Sequence, residues 1–334
     1  MITASAVHPF PSHVNAEFDL FINATGYEER ASSLVRANCV SSQEYISFLF
    51  NEHKILAYDS NFKTMQAAAA TMIDDPIAFC RHDLGTVARE LSSKLGRAVR
   101  VAIDVSSMNR TMAATLLTAL VSYREFIGAL EIFYLPARFS EPTLTFSPIE
   151  QIGAVTPELS GFDAEPGLPI ALVLGLGYEY GTAVGLIHQL EPQFTLCLRA
   201  TGHDSRFEEA VRQANLDFDF STYNVEISEY DLLDARAAYR HIENIVYSLM
   251  GNFRVVLVPM GPKMLASILV LIALRYFGKV AVWRVARPTQ PADVPPDDIF
   301  LSATVDLALP SKSLGFDQLR NLMEGGGAHN SDSS

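Results

Sequence analysis

The chain repeats its own pattern once, and that repeat constrains the fold more than any other feature of the sequence. Near the start of each half an apolar run ends in Gly-Tyr-Glu, first at 26–28 and again at 177–179. Later in each half an apolar run ends in a short polar turn with a cation, which is Arg110 in the first copy and Lys263 in the second. The glycines are 151 residues apart and the cations are 153 residues apart. Such nearly equal steps predict the internal duplication of a whole domain.

Apolar runs rich in Val, Ile and Phe alternate with helical patterns through both halves. Strands are predicted near 17–24, 44–50, 77–81, 99–105 and 130–136, then near 169–175, 193–199, 221–227, 253–259 and 279–285, with a further strand at 143–146. A helical pattern follows each of the first four strands of a half, which is typical of right-handed βαβ units and a mostly parallel sheet. The predicted fold is therefore α/β, with two tandem Rossmann-like, doubly wound parallel-sheet domains in strand order 3-2-1-4-5.

The same pattern divides the chain. We expect an N-terminal extension, a first Rossmann-like domain, a Pro/Gly-rich linker, a second Rossmann-like domain and a mostly flexible tail, at residues 1–16, 17–140, 141–168, 169–310 and 311–334 respectively. The two domains are expected to superpose about a pseudo-twofold axis.

Composition excludes several classes of function. A formal charge of −13 argues against general nucleic-acid binding, which needs clustered Lys and Arg, but it leaves room for a small anionic ligand in a local pocket. The three cysteines are too widely spaced for a disulfide framework or a zinc pattern. The sequence shows no secretion signal and no apolar run long enough to cross a bilayer. We therefore expect a cytoplasmic protein without a metal site or a cofactor.

Topology locates the candidate site. In the order 3-2-1-4-5, strands 1 and 4 are neighbours, and ligands of open α/β sheets bind at their carboxyl ends. Both repeated motifs follow these strands. The candidate ligand-binding residues are Thr25, Gly26, Tyr27, Glu28, Ser106, Ser107, Asn109 and Arg110 in the first copy, and Gly177, Tyr178, Glu179, Gly261 and Lys263 in the second. The polar loops 51–54 and 201–206, which follow the second strands, are weaker candidates.

Each candidate also has a purely structural interpretation. The Gly-Tyr-Glu turns could be plain strand-to-helix turns, and Glu28 and Glu179 could cap a helix rather than bind a ligand. Ser106, Ser107 or Asn109 could be the N-cap of the following helix. A cation at the start of a helix opposes the helix dipole, however, and here it does so at two equivalent positions, Arg110 and Lys263. That repetition favours a bound anion such as phosphate.

The fourth-strand motif resembles that of a known family. In both copies a polar Ser or Gly turn leads to Arg or Lys, Met and an apolar helix, at Ser106 to Met112 and at Gly261 to Met264. This order is similar to CARF domains, the Rossmann-like nucleotide sensors associated with CRISPR defence, and to the related SAVED proteins, which hold two CARF-like units in one chain. The resemblance implies a sensor of a nucleotide, such as a cyclic oligonucleotide, in antiviral defence, and we expect its two sites to form one composite pocket. Its effector would be a separate protein.

Two alternatives remain open at this point. An enzyme on the same scaffold could be a metal-independent ring nuclease, in which a ribose 2′-hydroxyl attacks the neighbouring phosphate, or a nucleotide or nucleoside hydrolase using Glu28 or Glu179. The chain could also be a structural subunit of a defence complex. Walker A, GxGxxG, HExxH and GxSxG signatures are absent from the sequence, so no catalytic residue can be assigned.

Overall fold

The two halves of the chain form two sheets. A computed structural model describes residues 1–141, 148–178, 181–215, 225–288, 290–307 and 316–325. The predicted strand at 143–146 and the candidate Glu179 lie outside the described residues.

The strands are β1 (Ile2–Pro9), β2 (Glu17–Thr25), β3 (Ser41–Leu49), β4 (Thr71–Ile73), β5 (Val99–Asp104), β6 (Ile127–Tyr134), β7 (Gln151–Ala154), β8 (Ile170–Gly175), β9 (Phe194–Thr201), β10 (Val225–Asp231), β11 (Arg254–Val258), β12 (Val280–Ala286) and β13 (Ile299–Val305). The α-helices are α1 (Ser33–Arg36), α2 (Tyr58–Ala67), α3 (Pro76–Ala78), α4 (Leu84–Leu95), α5 (Arg110–Ser122), α6 (Thr182–Leu190), α7 (Ser205–Ala214), α8 (Ala235–Leu249), α9 (Lys263–Arg275) and α10 (Phe316–Gly325). Short 3₁₀ turns lie at Glu29–Ser32, Arg124–Phe126 and Pro157–Leu159, and a π-helical turn at Phe79–Asp83.

Both sheets have the predicted strand order. The first sheet runs β1-β13-β6-β5-β2-β3-β4, and the second runs β10-β9-β8-β11-β12-β7. Within them, β4-β3-β2-β5-β6 and β10-β9-β8-β11-β12 are parallel and repeat the order 3-2-1-4-5. The Rossmann-like, doubly wound architecture is therefore confirmed in each half, whereas the pseudo-twofold relation between the halves stays a prediction.

The third strand of the first half was predicted wrongly. Residues 77–81 are helical, and the strand at this place in the order is the short β4, which precedes them. Pro76 lies in the first turn of α3, and Asp75 caps it by accepting a hydrogen bond from Ala78 N at 3.0 Å. The apolar residues here are one buried side of a helix, and periodicity alone cannot separate a short apolar run of that kind from a strand.

Segments from outside the two repeats complete both sheets. The N-terminal extension forms β1, which pairs antiparallel with β13, and β13 in turn pairs antiparallel with β6 of the first sheet. The linker supplies β7, which pairs antiparallel with β12 of the second sheet. The chain therefore returns to its first sheet after completing the second. The predicted domain boundaries themselves stay a prediction.

The helices that follow the fourth strands lie between the two sheets. Every residue of α9 from Met264 to Leu274 is buried, as is every residue of α5 from Ala113 to Ser122. A helix that is apolar all round must be covered on all sides, and α5 and α9 pack against each other in a core to which both halves contribute. This packing brings the two fourth-strand turns together. Within the described part of the chain, no helix is both long and apolar enough to cross a membrane.

Candidate anion-binding site

The two repeated cations lie in one cavity. Arg110 is the first residue of α5, and Lys263 is the first residue of α9. Both line a cavity of about 520 Å³ between the halves, which we call the composite cavity. The Arg110 guanidinium reaches across and donates its Nε–H to the carbonyl oxygen of Pro259, in the turn before α9. Two turns that are far apart in the sequence thus form one site.

The composite cavity is positively charged although the chain is acidic. Its described lining contains four basic residues and one acidic residue, namely Arg110, Lys263, Arg284, Arg287 and Glu52. Its volume falls within the range of about 300–1,000 Å³ that is usual for small-molecule sites. Two further lining residues, Thr182 and Trp283, carry a buried hydroxyl and a buried indole N–H that have no hydrogen-bond partner among the described residues. The cavity is therefore rich in donors.

Lys263 is the most perturbed cation of the site. Burial lowers the pKa of Lys263 to about 8, against the opposing effect of Glu28, and the nearby charges of Arg30 and Arg110 lower the pKa further. The Glu28 carboxylate accepts a hydrogen bond from Arg30 Nε at 2.9 Å and lies 3.4 Å from Ser107 Oγ. Burial acts to raise the pKa of Glu28, but the charges of Lys263 and Arg30 hold it below its ordinary value. Glu28 is thus an ionised member of this cluster.

Two predicted ligand residues point into the core instead. The Ser106 hydroxyl donates to Asp104 Oδ1 and accepts from Leu135 N at 2.7 Å, and the Thr25 hydroxyl lies 2.7 Å from that of Ser47. Both side chains are fully buried, and neither lines a described cavity. Burial also raises the pKa of Asp104 to about 6, although Ser106 N and Oγ donate to it. These groups hold the two turns in place and do not face a ligand.

The other predicted residues divide between two smaller cavities, both of which Lys263 also lines. A cavity of about 100 Å³, the Gly26 cavity, is lined in part by Gly26, Tyr27, Glu28, Ser107 and Asn109. A cavity of about 250 Å³, the Gly177 cavity, is lined in part by Gly177, Tyr178, Gly261 and Phe207. Tyr27 and Asn109 line the composite cavity as well. Lys263 therefore connects the candidate residues of both halves.

Asn109 has the structural role that was considered for it. Its Oδ1 accepts a hydrogen bond from Met112 N at 2.8 Å, so Asn109 is the N-cap of α5. The side chain is fixed at the entrance of the helix, where it also borders the cavity. Asn109 therefore both caps α5 and lines the site.

The Gly177 cavity differs from the composite cavity in its chemistry. The rings of Tyr178 and Phe207 stack with their centroids 6.2 Å apart, and most of the lining is apolar. Arg30 and Tyr134 of the first half also line it. The Gly177 carbonyl oxygen is held by Asn215 Nδ2 at 3.2 Å. This cavity can take a flat apolar group next to the charged Lys263.

Sequence reasoning missed several residues. Arg284 and Arg287 lie at and just beyond the carboxyl end of β12, where the rule that placed the site would have found them. His203 lies in one of the weaker candidate loops, and its Nε2 is 3.1 Å from Asp297 Oδ2 and 3.8 Å from Asp298 Oδ1. Burial raises the pKa of Asp297. No spacing signal could have revealed this cluster, because its members belong to distant segments.

Comparisons with known proteins do not assign the chain to a family. No protein-family model matches the sequence, and no curated protein matches it. The chain is similar to a UDP-GlcNAc 2-epimerase from Neisseria meningitidis bound to UDP-GlcNAc, at 10% identity and a TM-score of 0.19, over 74% of this chain and 78% of that one. It is also similar to phosphoethanolamine N-methyltransferase 1 from Haemonchus contortus, at 7% identity and a TM-score of 0.23, over 88% and 89%. At such scores neither similarity carries an argument. The strand order and the parallel pairing of the strands define the protein as Rossmann-like.

Proposed function

We propose that the chain is a nucleotide sensor that binds an anionic ligand in the composite cavity and signals to a separate protein. The observation that carries this proposal is the meeting of Arg110 and Lys263, the first residues of two equivalent helices, in one cavity. The CARF and SAVED resemblance suggests a cyclic oligonucleotide as the ligand, antiviral defence as the setting and the cytoplasm as the location.

The electrostatics of the cavity support a phosphate-bearing ligand. Helix N-termini offer free N–H groups and a positive dipole end, and two of them face the same space here. A charged donor such as Arg110 or Lys263 costs free energy at such a position unless an anion offsets it. One guanidinium group can donate two parallel hydrogen bonds to two oxygens of a phosphate. Arg284 and Arg287 are therefore suitable partners for a second phosphate.

The arrangement of the three cavities supports a ligand with both phosphates and bases. Tyr27 lines the composite and Gly26 cavities, and Tyr178 lines the Gly177 cavity, so flat surfaces flank the charged centre. Aromatic rings stack well on bases of any sequence. Lys263 borders all three cavities. One extended ligand could therefore place a phosphate near Lys263 and a base on each tyrosine.

Signalling would follow from the position of the cavity between the halves. A ligand that binds Arg110 and Lys263 together favours the arrangement of α5 and α9 in which both reach it. The ligand shifts the equilibrium between two arrangements only to the extent that it binds one of them more tightly than the other. The partner protein would bind preferentially to the favoured arrangement.

The enzyme alternative has less support. Lys263 and Arg30 hold the pKa of Glu28 below its ordinary value, which makes Glu28 a weak base and a poor proton donor near pH 7. A metal-independent ring nuclease would have to rely on Ser107, Asn109 and the two cations for positioning and charge stabilisation. A structural subunit, the third alternative, would leave the charged cavity without a role.

A ligand panel separates these functions. The purified chain is incubated with cyclic di-, tetra- and hexanucleotides, with ATP and with NAD, in excess EDTA, and its melting temperature and the products are measured. The sensor predicts stabilisation by at least one nucleotide without turnover. Linear products with 2′,3′-cyclic phosphate ends would establish the nuclease instead, and a released base would indicate a glycosidase. Absence of any stabilisation at millimolar nucleotide would leave the structural subunit.

A further inference from the structure

A second cluster of polar groups lies at the edge of the Gly177 cavity. His203 follows β9 of the second sheet, and Asp297 and Asp298 come just before β13 of the first sheet. His203 Nε2 is 3.1 Å from Asp297 Oδ2 and 3.8 Å from Asp298 Oδ1. One donor atom from each of the three residues can be chosen so that all lie within 4.8 Å of one another. An imidazole and two carboxylates thus converge on one point.

Asp297 provides an independent indication of a ligand at this place. The residue is 8% exposed and lines the Gly177 cavity. Its Oδ1 accepts a hydrogen bond from Asp298 N at 2.8 Å, whereas its Oδ2 is buried and, apart from the 3.1 Å ion-pair contact with His203 Nε2, accepts no hydrogen bond from a described residue. A buried carboxylate oxygen with so few hydrogen bonds is costly. This oxygen is the one that faces His203.

We propose that His203, Asp297 and Asp298 bind a divalent transition-metal ion of the Zn²⁺ type. Ligand atoms about 2.1 Å from such an ion at tetrahedral angles are about 3.4 Å apart, and the observed separations of 3.1 and 3.8 Å lie on either side of that value. Imidazole favours Zn²⁺ over Mg²⁺, which prefers oxygen ligands. The fourth position is left for water or a ligand atom.

The neighbouring charges are compatible with a cation. Arg206 is a positive side chain that interacts with Asp297, and Asp204 neutralises it through a hydrogen bond of 2.6 Å from Nη2 to Oδ2. Asp204 is engaged in that pair and is not counted as a ligand. The carboxylates of Asp297 and Asp298 carry two negative charges, and an imidazole that binds a metal is neutral, so a divalent ion balances the site.

The ion would join the two sheets. His203 belongs to the loop that lines the Gly177 cavity, whereas Asp297 N donates to Pro136 O, just beyond β6, at 3.1 Å. Binding would therefore fix the 201–206 loop against the segment that returns to the first sheet. This inference is independent of the proposed nucleotide ligand, because it concerns the metal ion alone.

Calorimetric titration with Zn²⁺ alone tests the inference on the full chain after dialysis against EDTA and removal of the chelator. We expect one ion per chain and a higher melting temperature with Zn²⁺. His203→Ala changes a partly exposed side chain, and Asp298→Ala changes an exposed one. Each should weaken Zn²⁺ binding by at least about 100-fold, since loss of a residue that only hydrogen-bonds to a metal ligand already weakens binding by about 10–100-fold. Asp297→Asn should do the same.

His82→Ala is the matched control, because His82 is an exposed histidine next to an aspartate but outside the cluster. It should bind Zn²⁺ like the unchanged chain. Melting curves in EDTA establish that each variant is folded, and the Asp298 variant serves if the buried Asp297 change unfolds the chain. Zn²⁺ binding that survives both His203→Ala and Asp298→Ala would overturn the proposal. So would Mg²⁺ binding as tight as Zn²⁺ binding, or no Zn²⁺ binding at millimolar ion.

Discussion

At the residue scale, Lys263 is the cation whose charged form is most disfavoured by its surroundings. It is a cation at the positive end of a helix, it is half-buried, and two arginines lie near it. All three conditions disfavour its charged form, and Glu28 offsets them only in part. A bound phosphate would favour the charged form. Near and above pH 8, Lys263 should therefore gain a proton when an anion binds.

This proton uptake predicts a pH dependence of ligand affinity. The pKa of free Lys263 is about 8, so below that pH the lysine is charged, and above it the charge is lost. Affinity for the nucleotide should therefore fall as the pH rises from 7 to 9, by up to about tenfold per pH unit above the pKa. Binding near pH 8 should take up a proton, which calorimetry in buffers of different ionisation enthalpy measures.

Lys263→Arg is the matched variant for this prediction, because its guanidinium stays charged throughout that range. Its affinity should be nearly independent of pH from 7 to 9. A flat profile for the unchanged chain would show that Lys263 does not titrate in the site.

At the element scale, the close approach of β8 to the turn after β11 positions the second half of the site. A Cβ added at Gly175, the last residue of β8, would lie 2.2 Å from the carbonyl oxygen of Met260 and 2.6 Å from Leu265 Cδ2. The Met260 carbonyl oxygen belongs to the backbone, so it cannot move away from an added Cβ as the end of a flexible side chain could. The absence of a side chain at Gly175 therefore sets how near the Gly177 turn comes to α9.

Gly175→Ala should accordingly destabilise the chain. Overpacking a tight site costs typically about 1–3 kcal/mol, and a contact with backbone belongs at the upper end of that range. Urea unfolding followed by circular dichroism measures the change in free energy. Gly202→Ala is the control, because nothing lies within 4 Å of a Cβ there. Equal stability of the Gly175 variant and the unchanged chain would contradict the close approach.

Sequence patterns predicted most elements but not all of them. Uniform apolar runs identified β8, β11 and α9 because those elements are buried on all sides. The same criterion failed at 77–81, where a buried helical face looks like a strand and the competing signal, Asp75-Pro76 at a helix start, was weaker. The close contact of Gly175 with Met260 follows from the packing of two turns, which no local pattern encodes.

At the scale of the whole molecule, the two halves share their core. The buried helices α5 and α9 pack together between the sheets, and β13 returns to the first sheet after the second is complete. Neither half can keep these surfaces buried without the other. We infer that the halves unfold together.

The single tryptophan of the chain provides a test of this cooperativity. Trp283 lies in β12 of the second sheet, so its fluorescence reports on the second half, whereas far-UV circular dichroism reports on both. The two signals should give the same urea midpoint and the same slope, as expected of a two-state transition. Separate midpoints would show that the halves are independent folding units.

The candidate site could be predicted in part. The repeat and the switch-point rule together identified Arg110 and Lys263, since both depend on local sequence and on topology alone. The sensor interpretation expected the two crevices to form one pocket, but these signals could not show it, because that depends on how α5 and α9 pack. The inward direction of Thr25 and Ser106 was also hidden, since a hydroxyl after a strand can turn to the core or to the ligand.

The central claim is that both halves hold one ligand in one site. The most direct measurement is a calorimetric titration of the chain, of Arg110→Ala, of Lys263→Ala and of the double variant with the nucleotide that the panel selects. Charge-assisted contacts contribute about 1.5–3 kcal/mol each, so each single variant should bind roughly tenfold or more weakly. Arg240→Ala and Lys63→Ala, which change exposed cations elsewhere, should bind like the unchanged chain.

We predict one ligand per chain and a double variant whose loss differs from the sum of the single losses, because residues that contact one ligand are energetically coupled. Two ligands per chain with strictly additive losses would contradict the composite site, and so would an unchanged affinity in Arg110→Ala.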